Sequence, residues 1–281
     1  MCSDVRWVYA INGNLQPDKR PVVYKTRATG ELIHAGGLIS TKEPTDMVYP
    51  MSGGVVCQSI EMNFMVNYFL KETFIFFSLK TFYNVAIPVV TTPSERNALL
   101  YSFSPKQIKT ILIPEAISFI LNESHFGLIY LAHSFTEISI VENHTVMAFT
   151  FSNIGLDDLA NYILKGVSPS LKTGLLFRRN ALESLMNEHD VTLCGPDTDT
   201  NAPLEVTFTI GDFQKYSTHW ISSIRDLFTK LYIPNYKWYI ISDYGKLNYI
   251  ATIISDESSV QIHPVNDSHE LIAKELSVMH I

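Results

Sequence analysis

Tyr49-Pro-Met-Ser-Gly-Gly-Val-Val-Cys-Gln-Ser-Ile-Glu-Met-Asn-Phe64 is the stretch that decides how this chain is read. Tyr-Pro followed by two glycines makes a turn, because proline fixes its own φ and glycine tolerates left-handed backbone. The short apolar run behind it reads as a strand. From Ile60 to Thr73 the period changes to that of a helix, and Met62, Met65, Val66, Phe69 and Leu70 fall on one face. A loop, a strand and an amphipathic helix in that order form one unit of an α/β architecture.

Upstream, Trp7–Ile11, Pro21–Lys25 and Glu31–His34 read as short strands, ended at Asn12-Gly13 and Gly36-Gly37. Downstream, Asn84–Val90 is a buried strand. Thr91 or Thr92 caps the next helix, Pro93 fits its first turn, and Glu95 places negative charge at its positive end. The helix Ser94–Phe103, a strand Lys109–Ile113 and a helix from Pro114 to Leu121 complete a strand–helix–strand–helix crossover. Gly127–Ala132 then opens a second sheet. Glu137–Val141 and Thr145–Phe151 alternate as antiparallel strands joined at Asn143-His144. Helices are expected at Asp157–Lys165 and Leu171–Asn187, then a surface linker over 194–203, rich in Gly, Pro, Asp and Asn. A strand (Glu205–Ile210), a helix (Thr218–Leu231), a strand (Trp238–Ser242), a short helix and a strand–helix pair follow. The pattern predicts two similar α/β lobes, residues 1–126 and 127–281.

Length and composition fit this architecture. The chain has 281 residues, 46% apolar and 17% charged, enough for two cores and too apolar for disorder. A net charge of −7 disfavours direct binding to nucleic acid, which needs basic patches. Cys2, Cys57 and Cys194 are far apart and outside any CxxC pair, so neither a zinc site nor a disulfide framework is expected, and a reducing compartment is. The sequons at Asn122, Asn143 and Asn266 follow no signal peptide and are read as chance. No apolar run reaches membrane-spanning length; Phe74–Val90 contains Lys80, Asn84 and Pro88. The expected location is the cytoplasm, with the nucleus open for a eukaryotic chain.

The segment at Tyr49–Phe64 resembles the "YP(I/M)xxGxVxxxxxME" stretch of the actin superfamily, which contains actin, the actin-related proteins and bacterial MreB. Three further stretches are similar in the same order. Val85-Ala-Ile-Pro-Val-Val-Thr-Thr-Pro-Ser-Glu-Arg-Asn97 resembles the MreB strand and "VER" helix start. Ile113-Pro-Glu-Ala-Ile-Ser-Phe-Ile120 is similar to the family helix that bears the catalytic acid or amide. Asn153-Ile-Gly-Leu-Asp-Asp-Leu-Ala-Asn-Tyr-Ile-Leu-Lys165 resembles actin's "DLAGRDLTDYLMK". The resemblance spans Val22 to Leu276 and implies a duplicated, ribonuclease-H-like ATPase-domain fold of two lobes.

It also implies a nucleotide site between the lobes, built from two hairpins whose small residues bring backbone N–H groups to phosphate and whose aspartates hold Mg²⁺. The residues depart from that pattern. The first hairpin normally reads Asp-x-Gly followed by Ser or Thr; here the chain runs Arg6-Trp-Val-Tyr-Ala-Ile-Asn-Gly-Asn14, a hairpin cut short. The second normally reads Asp-x-Gly-x-Gly-x-Thr; here it is Tyr130-Leu-Ala-His-Ser-Phe-Thr-Glu137, so the aspartate falls on Tyr130 or Leu131, depending on register, and the glycines become Ala132, His133, Ser134 or Phe135. The adenosine-side glycine triplet becomes Ile241-Ser-Asp-Tyr-Gly-Lys-Leu247, with Gly245 in place. Glu115 occupies the position of the water-positioning acid or amide. The resemblance thus implies a degenerate cleft with no metal site and no resident cofactor; ATP and Mg²⁺ belong to the alternative of a working filament ATPase.

Each singled-out residue has a plainer reading. Glu115 is a carboxylate favoured by a helix N-terminus, as are Asp157 and Asp158. His133 is a buried turn histidine. Gly53-Gly54 lacks the following Lys and Ser or Thr of a phosphate loop and is a turn. The aromatic run Phe74–Phe77 is core, or a partner face. No hydrolase elbow, HExxH, GxGxxG or P-loop is present. The expectation is a divergent actin-related or MreB-like structural protein, cytoskeletal or part of a larger complex, partnered by itself or by other proteins. An unrelated α/β module is the remaining alternative.

Overall fold

The computed structural model describes residues 8–279, apart from 12, 17–18, 21, 38, 42, 53–54, 73–81, 104–106 and 245. The chain divides into two compact units: Met1–Asn122 with His269–Ile281, and Glu123–Ser268. Phe74–Phe77 and Gly53-Gly54 lie outside the described residues.

The first unit opens with a hairpin of two-residue strands, β1 (Ala10–Ile11) and β2 (Asn14–Leu15), with Gly13 at φ +80°. β3 (Val23–Thr26) sits between β4 (Leu32–Ala35) and β5 (Thr45–Val48), all antiparallel. β6 (Met51–Ser52) and β7 (Val55–Val56) pair across the double-glycine stretch, and α1 (Ser59–Glu72) follows. β8 (Phe82–Ile87), α2 (Pro93–Ser102) and β9 (Gln107–Leu112) form the expected crossover, with β8 and β9 parallel, and α3 (Ile113–Leu121) continues it. The Thr92 cap is as the sequence requires. The Glu95 N–H donates to Thr92 Oγ1 at 3.3 Å, and Glu95 Oε2 accepts from the Thr92 N–H at 2.7 Å, closing a capping box. The helix face anticipated in α1 is the centre of this unit's core: Met62, Met65, Val66 and Phe69 pack with Val23, Ile87 and Leu99.

The second unit is built on one five-stranded sheet. β10 (His125–Leu131), β11 (Thr136–Glu142) and β12 (Thr145–Ser152) form an antiparallel meander. α4 (Leu156–Val167), α5 (Leu175–Met186), β13 (Val191–Pro196), β14 (Pro203–Phe208) and α6 (Ile210–Thr229) follow in the chain. β15 (Lys237–Ser242) then pairs in parallel with β10, α7 (Asn248–Ser258) intervenes, and β16 (Ile262–Pro264) pairs in parallel with β15. The spatial order is β12-β11-β10-β15-β16. β10 is a near-continuous apolar run because it is buried on both faces. Full burial of Phe126, Leu128 and Ile129 contributes about 1.5–3 kcal/mol each. Gly127 is needed there, since a Cβ would lie 2.4 Å from the Trp238 ring.

Three expectations are corrected. The segment 194–203, expected as a surface loop or linker, is a connecting turn only over 197–202: β13 and β14 pair from Val191↔Phe208 to Pro196↔Pro203. That turn is an Asx turn, since Asp197 Oδ1 accepts from the N–H groups of Asp199 and Thr200 at 2.9 Å each. Helix α6 starts at Ile210, eight residues before the expected Thr218, because Thr209 and Asp212 form a second capping box. The second expected lobe ran to residue 281, but the last helix, α8 (Ser268–Val278), lies with the first unit from His269 on. The physical reason is specific bonding. Asn84 Nδ2 donates to the carbonyls of Leu276 (2.8 Å) and Met279 (3.1 Å), and the Gly13 N–H donates to Ser277 Oγ (2.8 Å).

Candidate functional site

The turn between β10 and β11, Ala132-His-Ser-Phe135, gathers a buried polar cluster in the second unit. The Ala132 N–H donates to the Phe135 carbonyl at 3.0 Å, which closes the turn on itself. The His133 N–H donates to Asp243 Oδ2 at 3.0 Å. Asp243 follows β15, and its other oxygen accepts from the Tyr130 hydroxyl at 2.8 Å. The turn carbonyls are taken as well: Leu156 N–H donates to Ala132 O at 3.0 Å and Asp157 N–H to His133 O at 2.8 Å. Two of the N–H groups that the start of α4 leaves without helical partners are therefore satisfied by the turn.

Gly155, just before α4, makes this possible. A Cβ there would lie 2.3 Å from His133 O and 2.5 Å from Phe135 N. Its carbonyl accepts from Trp220 Nε1 at 2.9 Å, and its N–H donates to Asp158 Oδ2 at 2.9 Å. Asp158 therefore closes the helix start. Asp157 instead engages α5. Arg179 on that helix donates to it through Nε (2.7 Å) and Nη2 (2.6 Å), a bidentate pair.

The His133 side chain, 1% exposed, lies between the two acids. Its Nδ1 is 3.7 Å from Asp157 Oδ1, and its Nε2 is 3.9 Å from Asp243 Oδ2. Tyr244 stands edge-on to it, ring centroids 5.0 Å apart, and donates its hydroxyl to Arg179 O at 3.0 Å. Burial, and then the charge of Asp157, push the Tyr244 phenol well above its ordinary value, so it remains a donor at neutral pH. Ser134 is half-buried in the same turn. Among the described residues, no group of three or more His, Cys, Asp or Glu is arranged to hold a metal ion.

The structure thus brings together Ala132, His133 and Ser134, and adds Asp243, Asp157, Arg179 and Tyr244. Gly245 lies outside the described residues. Glu115 is in the first turn of α3, half-buried, in the other unit. Asp243 and Arg179 carry the cluster, and the sequence holds no local sign of either role: their partners lie 110 and 22 residues away.

Nearly the whole chain aligns with solved structures. The crystal structure of MreB 5 of Spiroplasma citri bound to AMPPNP matches 99% of this chain and 93% of its own length, with a TM-score of 0.83 at 12% identity. The fold is that of the actin superfamily. The ADP-bound form of MreB5 gives a TM-score of 0.82 at 13% identity, over 99% of this chain and 94% of its own. The MamK double helical filament gives 0.72 at 10% identity, over 93% and 91%. No protein-family profile matches the sequence, and no curated protein matches it either.

For a chain with the actin-superfamily fold, the turn 132–135 is where phosphate-facing amides are expected. Here the Ala132 N–H points to a carbonyl of its own turn and the His133 N–H to a carboxylate. A phosphate oxygen would have to displace an anion already bonded there. Both of these turn amides therefore already have partners within this unit.

Proposed function

We propose that this chain is a divergent actin-related or MreB-like structural protein, a self-assembling cytoskeletal or complex-forming subunit that hydrolyses little or no ATP. One observation carries the reading. The amide of His133, in the turn expected to cradle phosphate, is held by the Asp243 carboxylate at 3.0 Å. A general base such as Glu115 has nothing to act on without a bound phosphate. The actin-like core persists because it depends on buried strands and helix faces, whereas the phosphate site depends on a few grafted residues. Self-assembly is supported by the likeness to MamK, solved as a double helical filament.

A second reading keeps nucleotide binding, and the likeness to MreB5 structures solved with AMPPNP and ADP favours it. Thermal unfolding with and without millimolar ATP and Mg²⁺ separates the two. A ligand present at 100 times its Kd stabilises the folded state by about 2.7 kcal/mol. The expected outcome is no shift in Tm and no phosphate release. A shift of several degrees would refute the first reading in favour of the second.

A further inference from the structure

Asp243 has the contacts of a bound anion. The residue is buried, and its carboxylate accepts from two groups on a distant segment of the chain: the Tyr130 hydroxyl on Oδ1 at 2.8 Å and the His133 N–H on Oδ2 at 3.0 Å. The His133 ring adds its Nε2, 3.9 Å from the same Oδ2. A turn amide, a phenol and an imidazole, all from residues 130–133, together make a site for a small anion. The carboxylate reaches it from a fixed base. The Asp243 N–H donates to Leu131 O at 3.2 Å, and Ser242 Oγ accepts from the Tyr244 N–H at 2.8 Å. The Tyr244 hydroxyl is anchored in turn on Arg179 O at 3.0 Å. Asp243 and Tyr244 lie in the stretch 241–247, where the family pattern has a glycine triplet and therefore no side chains.

We propose that Asp243 is an internal ligand, an autoinhibitory carboxylate that fills an anion site on the 130–133 segment and holds the turn closed with no phosphate bound. This deepens the first reading of function and rests on it. A carboxylate tethered by its own backbone competes with a free anion at an effective concentration on the order of millimolar or above. A free phosphate therefore meets donors that are already taken. With the Asp243 side chain removed, the same donors face a space the size of a carboxyl group. A formate ion brings the charge and the two oxygens that this space lacks.

The test is chemical rescue of Asp243→Ala in the full chain. Tm is measured over a series of sodium formate concentrations, against sodium chloride of equal ionic strength. The unaltered protein, Asp243→Ala, Asp243→Asn and Asp197→Ala are compared. Asp243→Asn keeps the site filled by a side chain of the same shape. Asp197→Ala removes a carboxylate whose donors lie in an exposed turn, open to water. The expected result is a saturable rise with formate, and not with chloride, that restores at least half of the Tm lost in Asp243→Ala, and no response from the other three. In the isotope-labelled Asp243→Ala protein the His133 amide resonance is expected to move with the same midpoint, which a general salt effect would not produce. If Asp243→Ala does not fold in plain buffer, refolding in formate is read instead. A native-like circular dichroism spectrum that is lost on dialysis supports the proposal, and a protein that stays unfolded overturns it. Equal responses of Asp243→Ala and Asp197→Ala overturn it too. No rescue, in a protein that is itself indifferent to ATP and Mg²⁺, overturns the internal ligand and leaves the first reading of function standing. A Tm shift of the unaltered protein with ATP and Mg²⁺ overturns both.

Discussion

Asp243 is the residue on which the turn of the second unit depends. It is buried, and its two oxygens satisfy two donors that have no access to water, the Tyr130 hydroxyl and the His133 N–H. Asp243→Ala leaves both donors unmet. Each unsatisfied buried group costs about 1–3 kcal/mol, so a loss of about 2–6 kcal/mol in unfolding free energy is expected for the two. Asp243→Asn keeps one carbonyl acceptor and should lose less. Urea denaturation followed by circular dichroism measures both, and an Asp243→Ala loss under about 0.5 kcal/mol would contradict the assigned role. Little of this cluster is legible in the sequence. His133 stands out because it replaces a small residue, and the structural reading of Asp158 as a helix-start carboxylate agrees with its bond to the Gly155 N–H. Asp243 lies inside a stretch singled out for its glycine, but its role depends on a partner 110 residues away, which no local spacing encodes.

Element by element, signals that act within four residues are readable where their chemistry is complete and familiar. Thr92-Pro-Ser-Glu95 marks the start of α2. Thr209-Ile-Gly-Asp212 marks α6 with an aspartate in the box and a glycine inside, and the expected start falls eight residues late. The β13–β14 hairpin resembles a linker in sequence because Gly195, Pro196 and Pro203 break its strand ends and its turn is rich in Asp, Thr and Asn, although those breakers build the turn. Its pivot is Asp197, whose carboxyl is lowered from 3.8 to about 2, first by the Ser170 hydroxyl and then by the N–H groups of Thr200 and Asp199. A carboxyl depressed in the folded state stabilises it above the unfolded value, and that contribution is lost as pH falls through the folded one. The turn is therefore expected to hold above about pH 4 and to loosen as the pH approaches 2. Titration of the Asp199 and Thr200 amide resonances measures this. A midpoint near 3.8 instead of about 2 would show that the turn does not grip the carboxylate.

For the whole molecule, the order of units along the chain carries a consequence for folding. The second unit is one continuous segment, residues 123–268, with its own core of Leu131, Ile138, Leu159, Trp220, Trp238 and Ile240. The first unit is split: its core of Val23, Met62, Met65, Phe69 and Ile87 lies before residue 123, and α8 returns to it from the far end. A continuous segment with a complete core can fold alone. A split one lacks whatever its missing piece satisfies. Without α8, Asn84 loses its acceptors on Leu276 and Met279, and the Gly13 N–H loses Ser277 Oγ. The fragment 123–268 is expected to melt cooperatively with native-like circular dichroism. The fragment 1–122 is expected to melt early or without cooperativity, and to gain several degrees in Tm when a peptide of residues 268–279 is added, because a ligand that binds only the folded state stabilises it by mass action. An unfolded 123–268, or a 1–122 fragment indifferent to the peptide, would mean that the two units depend on each other in a way that neither core accounts for.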